Sequence, residues 1–215
     1  MTSKSIYLIA LLPLLLACFA FTTIGTKETT TNSEDWILAK DKNETQIYTR
    51  TPADSQIKEL KVVSILSCNV NEIESFIDNI NYYPKWQANI ASVKVLKIID
   101  TNTQYIYFTT DVPWPISNRD IILMSKKSKN TDNSIVYKLS CVPNFIIENP
   151  DFIRVKKFRS LCKIEPLQPN KVAITFECFG DPEGYIPDNI INLFIVESPY
   201  STFINLKKII EKHNY

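Results

Sequence analysis

Whatever sheet this chain builds, one long element is left to cover it: the apolar run over residues 184–215. The turn Gly180-Asp181-Pro182-Glu183-Gly184 introduces that run and uses two of the three glycines in the sequence. Asp181 to Gly184 suits a type I turn, since proline presets φ at the second position and glycine relieves the fourth. A helix is expected to begin near Pro187, which has no N–H to leave unbonded in a first turn. Asp188 then faces the positive end of the helix dipole. Residues 190–196 are apolar on nearly every side, unlike an ordinary surface helix. Beyond Pro199, Phe203, Leu206 and Ile210 keep helical spacing opposite Lys207, Lys208, Glu211 and Lys212. Two roles fit such an element: a cap on a solid sheet, or a helix that closes a cavity.

Strand-like segments precede it with almost no helix between them. Residues 46–50, 57–67, 92–99, 105–111, 120–127, 135–141, 153–164 and 171–179 are short, rich in β-formers and bounded by turn-formers such as Asp100, Asn102, Asn130 and Asn133. One early helix is expected over residues 72–80, capped by Asn69 or Asn71, with Ile73, Phe76, Ile77 and Ile80 on one face. Trp36 opens a short helix or an extended arm. Strands and helices do not alternate, which argues against a parallel βαβ sheet. The expected class is α+β: seven or eight antiparallel strands, one early helix and one long final helix.

The start of the chain reads differently. Lys4 precedes an apolar run over residues 6–16, so residues 1–21 read as a secretory signal peptide. Leu15-Leu16-Ala17-Cys18 resembles a bacterial lipobox, which makes a lipoprotein anchored through Cys18 the second alternative and a retained anchor the third. Residues 22–33, rich in Thr, Ser and Asn, form a flexible tether, and residues 34–215 a single domain. The expected location is outside the cytoplasm, in the periplasm or cell envelope. Lys and Arg number 24 against 23 Asp and Glu. With Lys4 in the leader the remainder is formally neutral, which argues against nucleic acid as a partner. Cys68, Cys141, Cys162 and Cys178 fit no zinc spacing. An exported chain could pair some of them, but free and buried is the preferred reading.

Groups able to do chemistry are scarce. The single histidine, His213, stands at the end of the chain, so a histidine-based nucleophile or zinc site lacks its parts. No glycine-rich phosphate loop exists, and neither cofactor nor metal is expected. Arg119-Asp120, after Pro113-Trp114-Pro115-Ile116-Ser117-Asn118, reads first as a structural ion pair and second as a ligand contact. Arg154 opens a later strand. Tyr105, Tyr107, Phe108 and Tyr137 make the central strands aromatic, which suits a core or a ring-lined cavity. Residues 142–151, with Pro143, Phe145, Ile146 and Ile147, are too apolar for an idle surface loop.

These residues carry a family likeness. From Trp36 to about Lys212 the chain resembles the START (StAR-related lipid-transfer) domain family, as a bacterial exported member. Trp36 and Ile47-Tyr48-Thr49-Arg50 are similar to the family's opening tryptophan and strand, and Trp86 to the tryptophan after its first core helix. Residues 113–120 resemble its Pro-Trp-Pro-x-Ser-x-Arg-Asp signature, and Arg154 the arginine of its late strand. Asp181-Pro182-Glu183-Gly184-Tyr185-Ile186-Pro187 resembles its Asp-Pro-x-Gly-x-Ile-Pro, followed by Asn192, Pro199-Tyr200 and Leu206-Lys207 of its last helix. The resemblance implies a helix-grip fold: a curved antiparallel sheet wrapped round the C-terminal helix, enclosing a hydrophobic cavity. It also implies a non-catalytic protein, a monomer, that binds one lipid or other apolar molecule and makes transient membrane contact. At about 0.8 kcal/mol per buried CH₂, such a ligand needs few polar contacts. The cavity candidates are Trp86, Tyr105, Tyr107, Arg119, Arg154, Ile191, Phe194 and Ile195. The lid or gate candidates are Phe145, Ile146, Tyr185, Pro187 and Phe203. Sterol-binding members carry a charged pair in the tunnel, where the strand after Asp120 offers Ile121, Ile122, Leu123, Met124 and Ser125. The alternative is a helix-grip enzyme, a cyclase or hydrolase, that would draw on Tyr107, Asn118 and Arg154.

Overall fold

The computed structural model describes residues 35–111 and 116–212. The leader, Cys18, the tether, Pro113-Trp114-Pro115 and His213 lie outside them. Among the described residues ten strands form one sheet. They are β1 (Ile37–Lys42), β2 (Thr45–Arg50), β3 (Glu59–Leu66), β4 (Ile90–Asp100), β5 (Thr103–Thr110), β6 (Arg119–Lys129), β7 (Ile135–Cys141), β8 (Ile153–Arg154), β9 (Lys157–Gln168) and β10 (Lys171–Asp181). The order across the sheet is β1-β2-β3-β10-β9-β7-β6-β5-β4, all antiparallel, and only β8 runs parallel, beside the start of β6. Register shifts in the β1–β2, β4–β5 and β9–β10 pairs add the local twist by which a broad sheet bends.

The arm expected at Trp36 is an edge strand instead. Nearly every residue of β1 is exposed, so it lacks the half-buried alternation by which a strand is read from sequence. Asn43 and Glu44 close the β1–β2 hairpin with φ of 56° and 54°, the left-handed pair that a two-residue hairpin turn needs. The single strand expected over residues 153–164 is two, β8 and β9. The turn at 181–184 is also not type I. Glu183 has φ 58° and Gly184 φ 79°, whereas the third position of a type I turn has negative φ.

Among the described residues three helices accompany the sheet: α1 (Val70–Asp78), the short α2 (Tyr83–Trp86) and α3 (Asp188–Lys212), with one 3₁₀ turn at Ile80–Tyr82. Asn69 caps α1 reciprocally: its side chain accepts from the Glu72 N–H at 3.0 Å, and the Glu72 carboxylate accepts from the Asn69 N–H at 2.9 Å. Asn69→Ala is expected to cost about 1 kcal/mol of stability, read as a lowered urea midpoint at unchanged m-value. The helix lays Ile73, Phe76 and Ile77 onto the sheet.

Strand pairing sorts side chains into two faces. Leu60, Val62, Ile135, Tyr137, Ile164, Val172 and Ile174 face the helices and form the main core with Ile73, Phe76, Trp86, Phe203, Leu206 and Ile210. α3 packs against β2, β3 and α2. Asn192 ties it to the segment before β3, accepting from the Lys58 N–H at 3.1 Å and donating to the Gln56 carbonyl at 3.2 Å. Lys40 holds Glu197 at 2.7 Å, and Lys207 holds Glu44 at 2.6 Å. Pro199 lies inside α3 and cannot donate to the carbonyl of Ile195.

Candidate functional site

Packing beneath α3 changes along the strands. At one end, Ile135, Ile164, Val172 and Ile174 are fully buried against Leu206 and Ile210. At the other, Leu139, Cys141, Phe158, Cys162, Phe176 and Cys178 point the same way from β7, β9 and β10 but are only half-buried. So are Ile191, Ile195 and Val196 in the first half of α3. The thiols show which kind of exposure this is. Burial pushes Cys162 and Cys178 up to about 12, so protein surrounds both groups, yet both keep accessible surface. Both also pack against the main core. The inner face is therefore solid near Leu206 and incompletely covered near Ile191 and Ile195, where a chamber would lie between α3 and the sheet.

Arg119 stands at the chamber end of β6 and is only 6 % exposed. Its Nε donates to the Pro182 carbonyl at 3.2 Å, Nη2 to the Glu183 carbonyl at 3.2 Å, and Nη1 to the Ser117 carbonyl. It thereby staples the turn before α3 across the end of the sheet, and burial lowers the pKa of its guanidinium. Gly184 belongs to this staple. Its φ of 79° excludes most side chains, and a Cβ there would lie 3.1 Å from Ile153 Cδ1.

Tyr105, Tyr107 and Arg154 are not in the chamber. Register places Tyr105 and Tyr107 on the opposite face of the sheet from Ile106 and Phe108, because side chains alternate along a strand. There Arg154 makes a bidentate pair with Asp120, Nε and Nη2 each at 2.8 Å, and Tyr107 donates to the same carboxylate at 2.9 Å. Both members of the ion pair are fully enclosed. The bond to Asp120 raises the pKa of the Arg154 guanidinium, and burial followed by that carboxylate pushes the Tyr107 phenol up to about 12. Nη1 of Arg154 also reaches the carbonyls of Pro143 at 2.6 Å and Ile146 at 3.2 Å. Phe145 stacks on Tyr105 with centroids 4.1 Å apart. The apolar loop of residues 142–152 is thus fastened to the outer face. A concavity of about 380 Å³ also lies on that face, lined by Trp36, Arg50, Glu59, Lys138, Arg159 and Phe179 among others. Its lining mixes charged and apolar groups and also includes Leu139, Ser160 and Cys178, whose side chains belong to the inner face.

The remaining candidates divide. Trp86 is buried in the core between Phe76 and Tyr83. Ile191 and Ile195 are half-buried, and Ile195 packs on the main core. Phe194 is 56 % exposed and points away: residues 190–196 are apolar all round, so one of their faces must meet solvent. Phe203, expected in the lid, is a core residue beside Phe176. Ile146, Tyr185 and Pro187 are exposed, and the Pro187 carbonyl accepts the first helical bonds of α3. Sequence reasoning overlooked Phe158, Ser160, Cys162, Phe176 and Cys178. Their spacing of two within β9 and β10 was the available signal.

The fold and this geometry can be set beside known proteins. The pattern of the START domain family matches residues 20–210. The chain belongs to the START domain family. A relative in Pseudomonas aeruginosa, an uncharacterized protein, is 29% identical over 180 residues, covering 84% of this chain and 89% of its own. The mouse StAR-related lipid transfer protein 7, mitochondrial, is 20% identical over 66% of this chain, which spans 39% of the mouse protein. Among solved structures, a STAR-related lipid transfer protein fragment from Xanthomonas axonopodis superposes with a TM-score of 0.76 at 25% identity, covering 82% of this chain and 98% of its own. Human StAR-related lipid transfer protein 5 gives 0.78 at 19% identity, over 86% and 90%. The START helix-grip architecture is the one described above: a broad antiparallel sheet closed by a C-terminal helix.

Proposed function

We propose that this START domain binds one lipid-like molecule in the chamber between the inner face of the sheet and the first half of α3. The carrying observation is the set of half-buried apolar side chains, Leu139, Phe158, Cys162, Phe176 and Cys178 of the sheet with Ile191 and Ile195 of α3, that lie between the inner face and the first half of α3. The kinship with proteins named for lipid transfer supports the same reading. Release is assigned to outward movement of the first half of α3, whose apolar side chains Ile191, Ile195 and Val196 are only half-buried, rather than to the loop that Arg154 fastens. Ile147, Tyr185, Ile190 and Phe194 are exposed apolar groups near this end of the sheet, and they suit transient contact with a bilayer. An exported or envelope-bound monomer is the setting we propose for this activity. A catalytic role would draw on Tyr107, Asn118 and Arg154, of which Tyr107 and Arg154 are committed to Asp120 on the far face.

Native mass spectrometry of protein purified without denaturant is expected to show one apolar adduct per chain. Delipidated protein is expected to take up a fluorescent lipid from vesicles at one per chain. Protein without an adduct that also leaves the vesicles unquenched would remove this function.

A further inference from the structure

We infer that the chamber selects an electrically neutral lipid whose head is a hydroxyl or carbonyl, and discriminates against phospholipids and fatty acids; this rests on the lipid-binding reading above. The inner face of the sheet carries few charges. Among the described residues, β2, β3, β5, β7, β9 and β10 place no charged side chain there. β1 carries Lys40 and Lys42 at the sheet edge, where Lys40 is paired with Glu197 of α3. β6 carries Arg119, Lys127 and Lys129. Lys127 is held by Glu74 at 2.5 Å and Asp78 at 2.6 Å, and Lys129 by Glu74 at 3.9 Å, all against α1 at the solid end. Arg119, at the chamber end, donates from each of its three nitrogens to a main-chain carbonyl of the staple. Positions 112–115, 189 and 193 are Val, Pro, Trp, Pro, Asn and Leu, so the sequence adds no charge there. A phosphate or carboxylate drawn into this chamber would lose its hydration, and the one cation near it among the described residues, Arg119, is 6 % exposed and already donates to three carbonyls.

The polar equipment that remains suits a small neutral head. Ser160 Oγ and Trp86 Nε1 are buried without a hydrogen-bond partner, and buried polar groups are seldom left so. Ser160 stands between Leu139 of β7 and Cys178 of β10, both half-buried chamber residues. Its hydroxyl donates and accepts, whereas the Trp86 indole only donates. One oxygen on the ligand would answer the Ser160 hydroxyl; Trp86 lies in the core between Phe76 and Tyr83, away from that position.

The test uses four probes with the same pyrene-labelled acyl chain: diacylglycerol, phosphatidylcholine, phosphatidylglycerol and free fatty acid, each titrated into delipidated full-length protein. Diacylglycerol is expected to bind at least tenfold more tightly than the other three. Equal or tighter binding of any charged or zwitterionic probe overturns the inference and leaves the lipid-binding reading standing. If no probe binds, the adduct of the native protein decides: a neutral lipid supports the inference, and a phosphorus-containing or acidic one overturns it. Failure of both probes and adduct ends the lipid-binding reading, and this inference with it. Ser160→Ala is expected to weaken the diacylglycerol probe about tenfold with the thermal midpoint unchanged or slightly raised. Unchanged affinity overturns the assignment of Ser160.

Discussion

Arg154→Ala is expected to destabilise the protein by about 3–5 kcal/mol, because it strands the Asp120 carboxylate in a fully buried position. Asp120 then keeps only the Tyr107 hydroxyl and its backbone neighbours. The loop loses its fastening as well, since the Pro143 and Ile146 carbonyls bond to the same guanidinium. The contrast with Tyr107→Phe is diagnostic: that change removes one hydrogen bond to the carboxylate and is expected to cost about 1–2 kcal/mol. The apolar double variant Asp120→Leu/Arg154→Met removes both charges, and in other proteins such exchanges are often neutral or stabilising. Here recovery should be partial, because the loop carbonyls still lack their donor. Denaturant unfolding at matched m-values measures all three. A loss below about 1 kcal/mol in Arg154→Ala would mean that the pair does not brace the loop.

A bridge between α3 and the sheet should slow ligand exchange about tenfold or more while leaving equilibrium affinity nearly unchanged, the behaviour of a gate rather than of a contact. Lys58→Cys/Asn192→Cys is the natural pair, since the Asn192 side chain already touches the Lys58 backbone. The native thiols are poor competitors: burial pushes Cys68, Cys162 and Cys178 up to about 12 and raises Cys141, so almost no thiolate forms at neutral pH. Stopped-flow transfer of a fluorescent lipid, oxidised against reduced, reads the effect, with the oxidised parent as control. Equal rates in the two states would place the moving wall elsewhere, with the loop of residues 142–152 the next to be bridged.

Much of this fold was legible because the long strands alternate and the last run does not. β7 was read at its observed bounds, and the capped early helix, the final helix and the order of strands follow from patterning. β1 was lost because an edge strand exposed on both sides carries no period. The Glu183 conformation was lost because proline and glycine at the ends of a turn do not fix φ between them. The site was less legible for a different reason. Tyr105, Tyr107 and Arg154 look like pocket residues, being aromatic or charged within apolar strands, but a strand shows alternate residues to opposite faces. Which face meets the final helix is settled only by the register of the whole sheet. A loop over the outer face buries those three as thoroughly as a cavity wall would. The same ambiguity hid Ser160 and the two thiols, small residues that look unremarkable until their neighbours on β7 and β10 are known.

Pro199 separates two properties that a continuous helix would tie together. The missing bond to the Ile195 carbonyl falls where the half-buried residues Ile191, Ile195 and Val196 give way to the fully packed Phe203, Leu206 and Ile210. Fraying that begins at Asp188 therefore meets a break in the hydrogen-bond ladder before it reaches the residues that hold the sheet together. The first segment can lift at a fraction of the free energy of global unfolding. On the proposed release route, residence time of a bound molecule and heat resistance of the domain would be set by different stretches of one helix. Substitutions in residues 188–198 can retune the first without eroding the second.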